Sequence, residues 1–217
     1  MQLPAGSQGP VAHVPTADGL NVLGGDASNP FYFAQVGPAL VQPAQVAGAA
    51  ITAASETSLL PAAQVKTLPA NFFAVGRTLR IRASGLISTV ITTPGTLRFK
   101  VKLGSVAVFD SLAILPDAAA AHSAKGWDLE ILLTCRAVGS GTSANLWGSG
   151  KFTSEVVAGS GTMPLGALVA MLPWNSTPAA GSGFDSTATQ ALDLTFTQTV
   201  ATGSITLEQY FVELVGG

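Results

Sequence analysis

Apolar and polar residues alternate one by one through the middle of the chain. After Thr78, the apolar residues Leu79, Ile81 and Ala83 take turns with Arg80, Arg82 and Ser84. After Thr96, Leu97, Phe99, Val101 and Leu103 take turns with Arg98, Lys100 and Lys102. A period of two marks a strand with one buried face and one wet face. Gly104-Ser105 separates the second run from Val106-Ala-Val-Phe109, and a two-residue loop with glycine first suits a type II′ turn. Thr93-Pro94-Gly95 reads as a turn between the first two runs. Thr78 to Phe109 is therefore expected to form three consecutive antiparallel strands. Arg80 and Arg82 would then lie near Arg98, Lys100 and Lys102 on one polar face.

The same pattern continues. Between Trp127 and Val138, Leu129, Ile131, Leu133 and Cys135 face one way, and Asp128, Glu130, Thr134 and Arg136 the other. Leu132 interrupts the polar side and suggests partial burial on both faces. Ser143 to Val157 is strand-like, and Gly148 and Gly150 within it imply a bulge or a close approach. Leu165 to Leu172 is a short apolar run ended by Pro173, and Asn175 to Thr187 is a polar loop. Ala191 to Val200 and Ser204 to Val215 are the last strands. Asp117 to Ala121 makes a loop or one helical turn. Weaker extended signals run from Ala49 to Ala54 and from Leu59 to Lys66, which could be the entry strands of the main domain.

Residues 1–70 differ from the rest. They hold eight of the thirteen prolines, with Gly-Pro and Asn-Pro steps that disfavour helices and central strands. The segment is not charged or poor in apolar groups as a free tail would be; a flexible leader with a couple of short strands is the alternative to a docked arm. Phe31, Tyr32, Phe33, Leu40 and Val41 read as anchors that dock it on a partner surface. The expected architecture is an all-β, jelly-roll-like two-sheet sandwich over residues 71–217, preceded by an extended Pro-rich N-terminal arm over 1–70. An immunoglobulin-like sandwich is the alternative, although its Cys…Trp…Cys pattern is missing.

Composition sharpens this picture. Charged residues are 10% of the 217, against roughly 25% in an ordinary soluble domain, and hydrophobic residues are 47%. Mean hydropathy is +0.44. Such a chain either enters a membrane or covers its surface with other chains. Its apolar stretches fall short of the ~20 residues of a spanning helix, and its alternating segments are too few, and its aromatics at 7% too sparse, for a transmembrane barrel with aromatic girdles. Assembly is the expectation. Met1-Gln-Leu-Pro-Ala-Gly has neither the basic start nor the apolar run of a signal peptide. Cys135 has no second cysteine to pair with.

Candidate chemistry is sparse. His13 and His122, both expected in exposed loops, and Cys135 are too few for a zinc site, so no metal or cofactor is expected. No Gly-x-Ser-x-Gly elbow accompanies them. Asp128 and Glu130 share a strand face where a glycosidase pair would sit, yet an exposed strand face is the plainer account. Six of the ten basic residues fall between Arg77 and Lys102. Their face would dock an acidic protein partner or be balanced by neighbours such as Asp128 and Glu130. With a net charge of −2 and no interleaved aromatics, direct nucleic-acid binding is not expected.

Asn71-Phe-Phe-Ala-Val-Gly-Arg-Thr-Leu-Arg-Ile-Arg-Ala-Ser-Gly-Leu-Ile-Ser-Thr, then Thr96-Leu-Arg-Phe-Lys-Val-Lys-Leu-Gly, resembles a group of tailed-bacteriophage virion proteins. So do Trp127-Asp-Leu-Glu-Ile-Leu-Leu-Thr-Cys-Arg, Gly150-Lys-Phe-Thr, and Ala191-Leu-Asp-Leu-Thr with Ile205-Thr-Leu-Glu-Gln-Tyr. The likeness runs from Ile51 to Val215 and rests on strand signatures, with no catalytic residue to carry over. It implies a β-sandwich on a phage particle, in a symmetric oligomer. The first expectation is a non-enzymatic capsid decoration (cement) protein on the virion surface, a homotrimer that bridges capsomers of the major capsid protein. The second is a tail or head-fibre protein that binds a host glycan or receptor through Trp147, Trp174, Tyr210 and the 175–187 loop, although core or inter-subunit packing is the plainer account of these aromatics. A third, a glycan-degrading enzyme, rests only on scattered acids.

Overall fold

The computed structural model describes residues 13–15, 21–23, 39–42, 48–157 and 169–216. The anchors Phe31, Tyr32 and Phe33 lie outside the described residues. Among the described residues thirteen strands follow one another: β1 (His13–Pro15), β2 (Asn21–Leu23), β3 (Ala39–Gln42), β4 (Thr57–Ser58), β5 (Lys66–Leu68), β6 (Thr78–Thr89), β7 (Leu97–Leu103), β8 (Val106–Asp110), β9 (His122–Ala137), β10 (Asn145–Ser154), β11 (Val169–Leu172), β12 (Gln190–Gln198) and β13 (Ser204–Gly216). β1 and β2 pair with each other. The rest form two antiparallel sheets, of order β11-β10-β9-β6-β13-β3 and β4-β12-β7-β8, with β5 also on β12. The result is the expected all-β two-sheet sandwich.

Its core is the sum of the alternating faces. Leu79, Ile81 and Ala83 of β6 and Leu129, Ile131 and Leu133 of β9 point inward from the larger sheet. Leu97, Phe99, Val101 and Leu103 of β7 meet them from the smaller one. Leu132 does not follow the expectation of burial on both faces. It lies on the outer face and is 36% exposed.

The predicted β7–β8 hairpin is present. Leu103 pairs with Val106 around Gly104-Ser105, and Gly104 has φ +59°. A pairing shift between Val101 and Lys102 then lets Val108 and Phe109 both turn inward. The predicted β6–β7 hairpin is absent. After Thr89 the chain crosses to the other sheet, and β6 pairs with β9 and β13 instead. Alternation fixes which side of a strand is apolar. It does not distinguish a neighbour beside the strand from one facing it across the core. The crossing recurs between β8 and β9, β11 and β12, and β12 and β13.

The expected arm boundary at residue 70 also moves. β3 pairs with β13 on the edge of the larger sheet, and Gly48 and Ile51 continue that edge through hydrogen bonds to Leu207 and Ile205. β4 and β5 pair with β12. Ile51, Leu59, Leu60 and Leu68 are buried in the core. These strands are two to four residues long, too short to show a period, so composition dominated the reading there.

One close backbone approach shapes the centre of the larger sheet. Opposite Gly85, β13 bulges between Leu207 and Gln209, which lets Leu207 and Tyr210 both face inward. A Cβ on Gly85 would lie 1.9 Å from the Thr206 carbonyl oxygen. The absence of a side chain there is what lets the bulge close against β6. We expect Gly85→Ala to cost about 1–3 kcal/mol in urea unfolding, the range for overpacking. Gly126→Ala, where an added Cβ meets nothing within 4 Å, serves as the control and should unfold like wild type. Equal midpoints for the two variants would contradict this account of the bulge.

Candidate functional site

The strand assignment decides where the basic residues go. Arg80 and Arg82 project from β6 on the outer face of the larger sheet. Arg98, Lys100 and Lys102 project from β7 on the outer face of the smaller one. The single basic face expected from the sequence is therefore two faces on opposite sides of the sandwich. Each of the five cations has a carboxylate of its own chain nearby.

On the smaller sheet, the Arg98 guanidinium donates two bonds to Asp110, one from Nε to Oδ1 at 2.8 Å. This bidentate pairing with Asp110 holds the Arg98 pKa above its ordinary value. Lys100 and Lys102 both donate to Glu56, at 2.6 and 3.0 Å, and the Thr195 hydroxyl donates to the same carboxylate at 3.3 Å. The hydrogen bond from Lys100, then that from Lys102, draws the Glu56 pKa from an ordinary 4.5 to about 2. Beside them Ser58 donates to Asp193 at 2.6 Å. Glu56 precedes the two-residue β4 and follows no alternation, so only the fold brings it to lysines 44 and 46 positions away.

On the larger sheet, Arg80 donates to Glu213 at 3.1 Å. Arg82 stands opposite Glu130 of β9 and Phe211 of β13 in register. Its guanidinium is 3.6 Å from both Asp128 and Glu130 and 5.8 Å from the centre of the Phe211 ring. The expected balancing of this face by Asp128 and Glu130 is therefore observed for Arg82 alone. Leu40 pairs with Glu213 along β3, and Val41 is its neighbour on that edge strand.

The remaining candidates separate by burial. Tyr210 is 1% exposed, and burial raises its phenol pKa, so it cannot join an exposed sugar platform. Trp174 packs against the core. Trp147 carries the Arg136 guanidinium 5.8 Å from its ring centre. The 175–187 loop is tied to the start of β10 by bridges from Ala180 to Trp147 and from Phe184 to Ala144. Phe184 is buried. His122 is not the exposed loop residue expected from sequence. It opens β9, and its Nε2 lies 3.3 Å from Oδ2 of the buried Asp117. Asp117 also caps its own loop by accepting from the Ala119 amide at 2.8 Å. His13 lies in β1. Burial raises the Cys135 thiol pKa and keeps it protonated.

Among the described residues no three His, Cys, Asp or Glu side chains gather as metal ligands. Comparison with protein-family models, with curated proteins and with solved structures finds no match to this chain.

The Glu56 clamp gives a pH test. A carboxyl pKa lowered by folding contributes stability that is complete above the unfolded value and is lost as pH falls through the folded one. For Glu56 that window runs from 4.5 down to about 2. The group is partly exposed, so solvent limits its worth to about 0.5–1 kcal/mol. Glu56→Gln should be less stable than wild type by that amount at neutral pH. The two proteins should converge as pH drops through the window. A gap that persists unchanged in acid would contradict the clamp.

Proposed function

We propose that the chain is a structural protein of a tailed-phage virion, a decoration (cement) protein that sits on the capsid as a homotrimer. In this role it bridges neighbouring copies of the major capsid protein and stiffens the shell against the packaged genome. The observation that carries the reading is a patch at one end of the sandwich whose loops expose aliphatic side chains and no charge of their own, bordered by the Lys125–Glu155 ion pair. Three loops meet there, residues 90–96, 111–121 and 199–203. The Thr92 amide donates to Ala118 at 2.9 Å, and the Thr96 amide donates to the Thr199 hydroxyl at 2.8 Å. Ile91 and Leu115 stand out from these loops, 53% and 52% exposed. The one ionisable side chain in the three loops, Asp117, is turned inward at 3%.

Loops that project aliphatic side chains and expose no charge are poorly suited to water and well suited to a protein contact, where charge is depleted at the centre. The five cations of the expected docking face are each beside a carboxylate of the same chain, so they offer little net attraction to an acidic partner. The resemblance of its strand signatures to those of tailed-phage virion proteins supplies the setting. The low overall charge fits a chain that is covered by companions. The loop end grips the shell, and the sheets stand away from it.

Shells assembled with and without the chain provide the test. Shells carrying it should withstand higher denaturant, and virions should hold hundreds of copies. Ile91→Asp with Leu115→Asp, at two exposed positions, should leave folding intact and strip the chain from the shell. Unchanged shell stability, or a few to a few dozen copies per virion, would discard the cement role and favour a tail or head-fibre position.

A further inference from the structure

The charged groups on the two outer faces differ in how far their hydrogen-bonding capacity is spent. Arg98 with Asp110, Glu56 with its two lysines, and Arg80 with Glu213 are directly bonded. Arg82 is not. Its contacts to Asp128 and Glu130 are both 3.6 Å, beyond hydrogen-bond reach, and its Nε is buried without a partner. Among the described residues, Asp128 and Glu130 make no direct hydrogen bond either. Arg82 and Asp128 border a depression of about 110 Å³ on the larger sheet, lined also by Ala83, Ser84, Gln209 and Phe211, with Glu130 opposite Arg82 in register but outside that lining. At about 30 Å³ per liquid water, this is room for three or four waters, or for the edge of one six-membered sugar ring.

We propose that this depression is a binding site for an uncharged pyranose unit of a glycan. The donor and acceptor set selects that class. A carboxylate only accepts and a guanidinium only donates, whereas Ser84 and Gln209 do both. A sugar hydroxyl donates and accepts at once. It can bridge Arg82 to Asp128 or Glu130 across a gap that neither closes alone. Phe211 supplies a flat apolar surface for the C–H face of the ring. The other ligand classes are opposed. Two carboxylates repel phosphate and other anions. Arg82, and Lys151 in register with Glu130 on β10, repel cations. The two cations and two anions sum to zero, so no ligand charge is called for. Ser84 already donates to Gln209 at 3.3 Å, but a purely apolar ligand would leave Arg82 and Asp128 desolvated with no hydrogen bond.

The site is distinct from the platform of Trp147, Trp174 and Tyr210 that the sequence suggested. It lies on a sheet face and away from the loop end, so both surfaces can be occupied together. Arg82, Asp128 and Glu130 lie on neighbouring long strands of one sheet, which hold them rigidly. The inference does not depend on the capsid role. A glycan site on the sheet face would serve a head-decorating or a tail-borne protein equally.

The full chain should be titrated with D-galactose, D-glucose, D-mannose and their N-acetylamino forms, followed by saturation-transfer NMR. At least one should bind saturably, in the millimolar range usual for a single ring. Asp128→Asn and Phe211→Leu, each checked for an unchanged melting curve, should weaken that binding by about tenfold or more. Arg98→Gln on the opposite sheet should leave it unchanged. The assignment is overturned if no neutral sugar saturates, if only acidic sugars bind, or if the β9 and β13 variants bind like wild type. Loss of sugar binding in these variants with shell stabilisation intact separates this site from the cement role.

Discussion

An aromatic contact through the middle of the sandwich is the constraint from which the rest follows. Phe99 of β7 lies 5.1 Å from Phe152 of β10 and 5.9 Å from Trp127 of β9, centre to centre, across the gap between the sheets. Within its own sheet it lies 5.2 Å from Phe196 of β12. Pairs of this kind contribute roughly 0.5–1.5 kcal/mol each beyond the area they bury. Trp127 also keeps its indole N–H paired, donating to the Leu86 and Thr206 carbonyls at 3.2 and 3.3 Å. That bond ties the aromatic core to the backbone of β6 and β13. A one-residue slip of any of these strands would swap an aromatic ring for a charged or polar neighbour, so the core sets the register of both sheets.

Once the inner faces are committed, every charged residue of the long strands is forced outward. There most of them find partners within the chain: Arg98 with Asp110, Glu56 with Lys100 and Lys102, Arg80 with Glu213, and Lys125 with Glu155. Two regions stand apart from this balance. One is the loop end around Ile91 and Leu115, which has almost no charge to balance. The other is the Arg82 depression, where charges are present and loosely met. The functional reading rests on that contrast, since a surface whose polar groups are already satisfied gains little from a new partner.

Much of the fold was legible because it repeats with period two. Leu97 to Leu103 and Trp127 to Cys135 could be assigned as half-buried strands residue by residue. Gly104 marked its hairpin by the backbone conformation it permits. What alternation cannot express is which sheet a strand joins, and so the five basic residues were expected together and are found on opposite faces. Leu132 was misread for a related reason, because an apolar residue on an outer face leaves the same signature as one buried on both sides. Residues 48–70 fell inside the expected arm, although Ala49–Ala54 and Leu59–Lys66 also read as candidate entry strands of the sandwich, because strands this short show no clear period. Of the candidate site, the partnership of Arg82 with Asp128 and Glu130 was legible from strand faces. Glu56 and the bulge that buries Tyr210 depend on long-range packing and left no local sign, while the Asp117–His122 contact, only five residues apart, depends on a loop without a period to read.

Amide hydrogen exchange on Phe99→Ala tests the central claim most directly. If the cross-sheet aromatic contact sets both sheets, β7 and β12 on one side and β9 and β10 on the other should lose protection together and by similar factors. Loss confined to β7 and β12, with β9 and β10 as protected as in wild type, would show that the sheets are stable independently and would contradict the account.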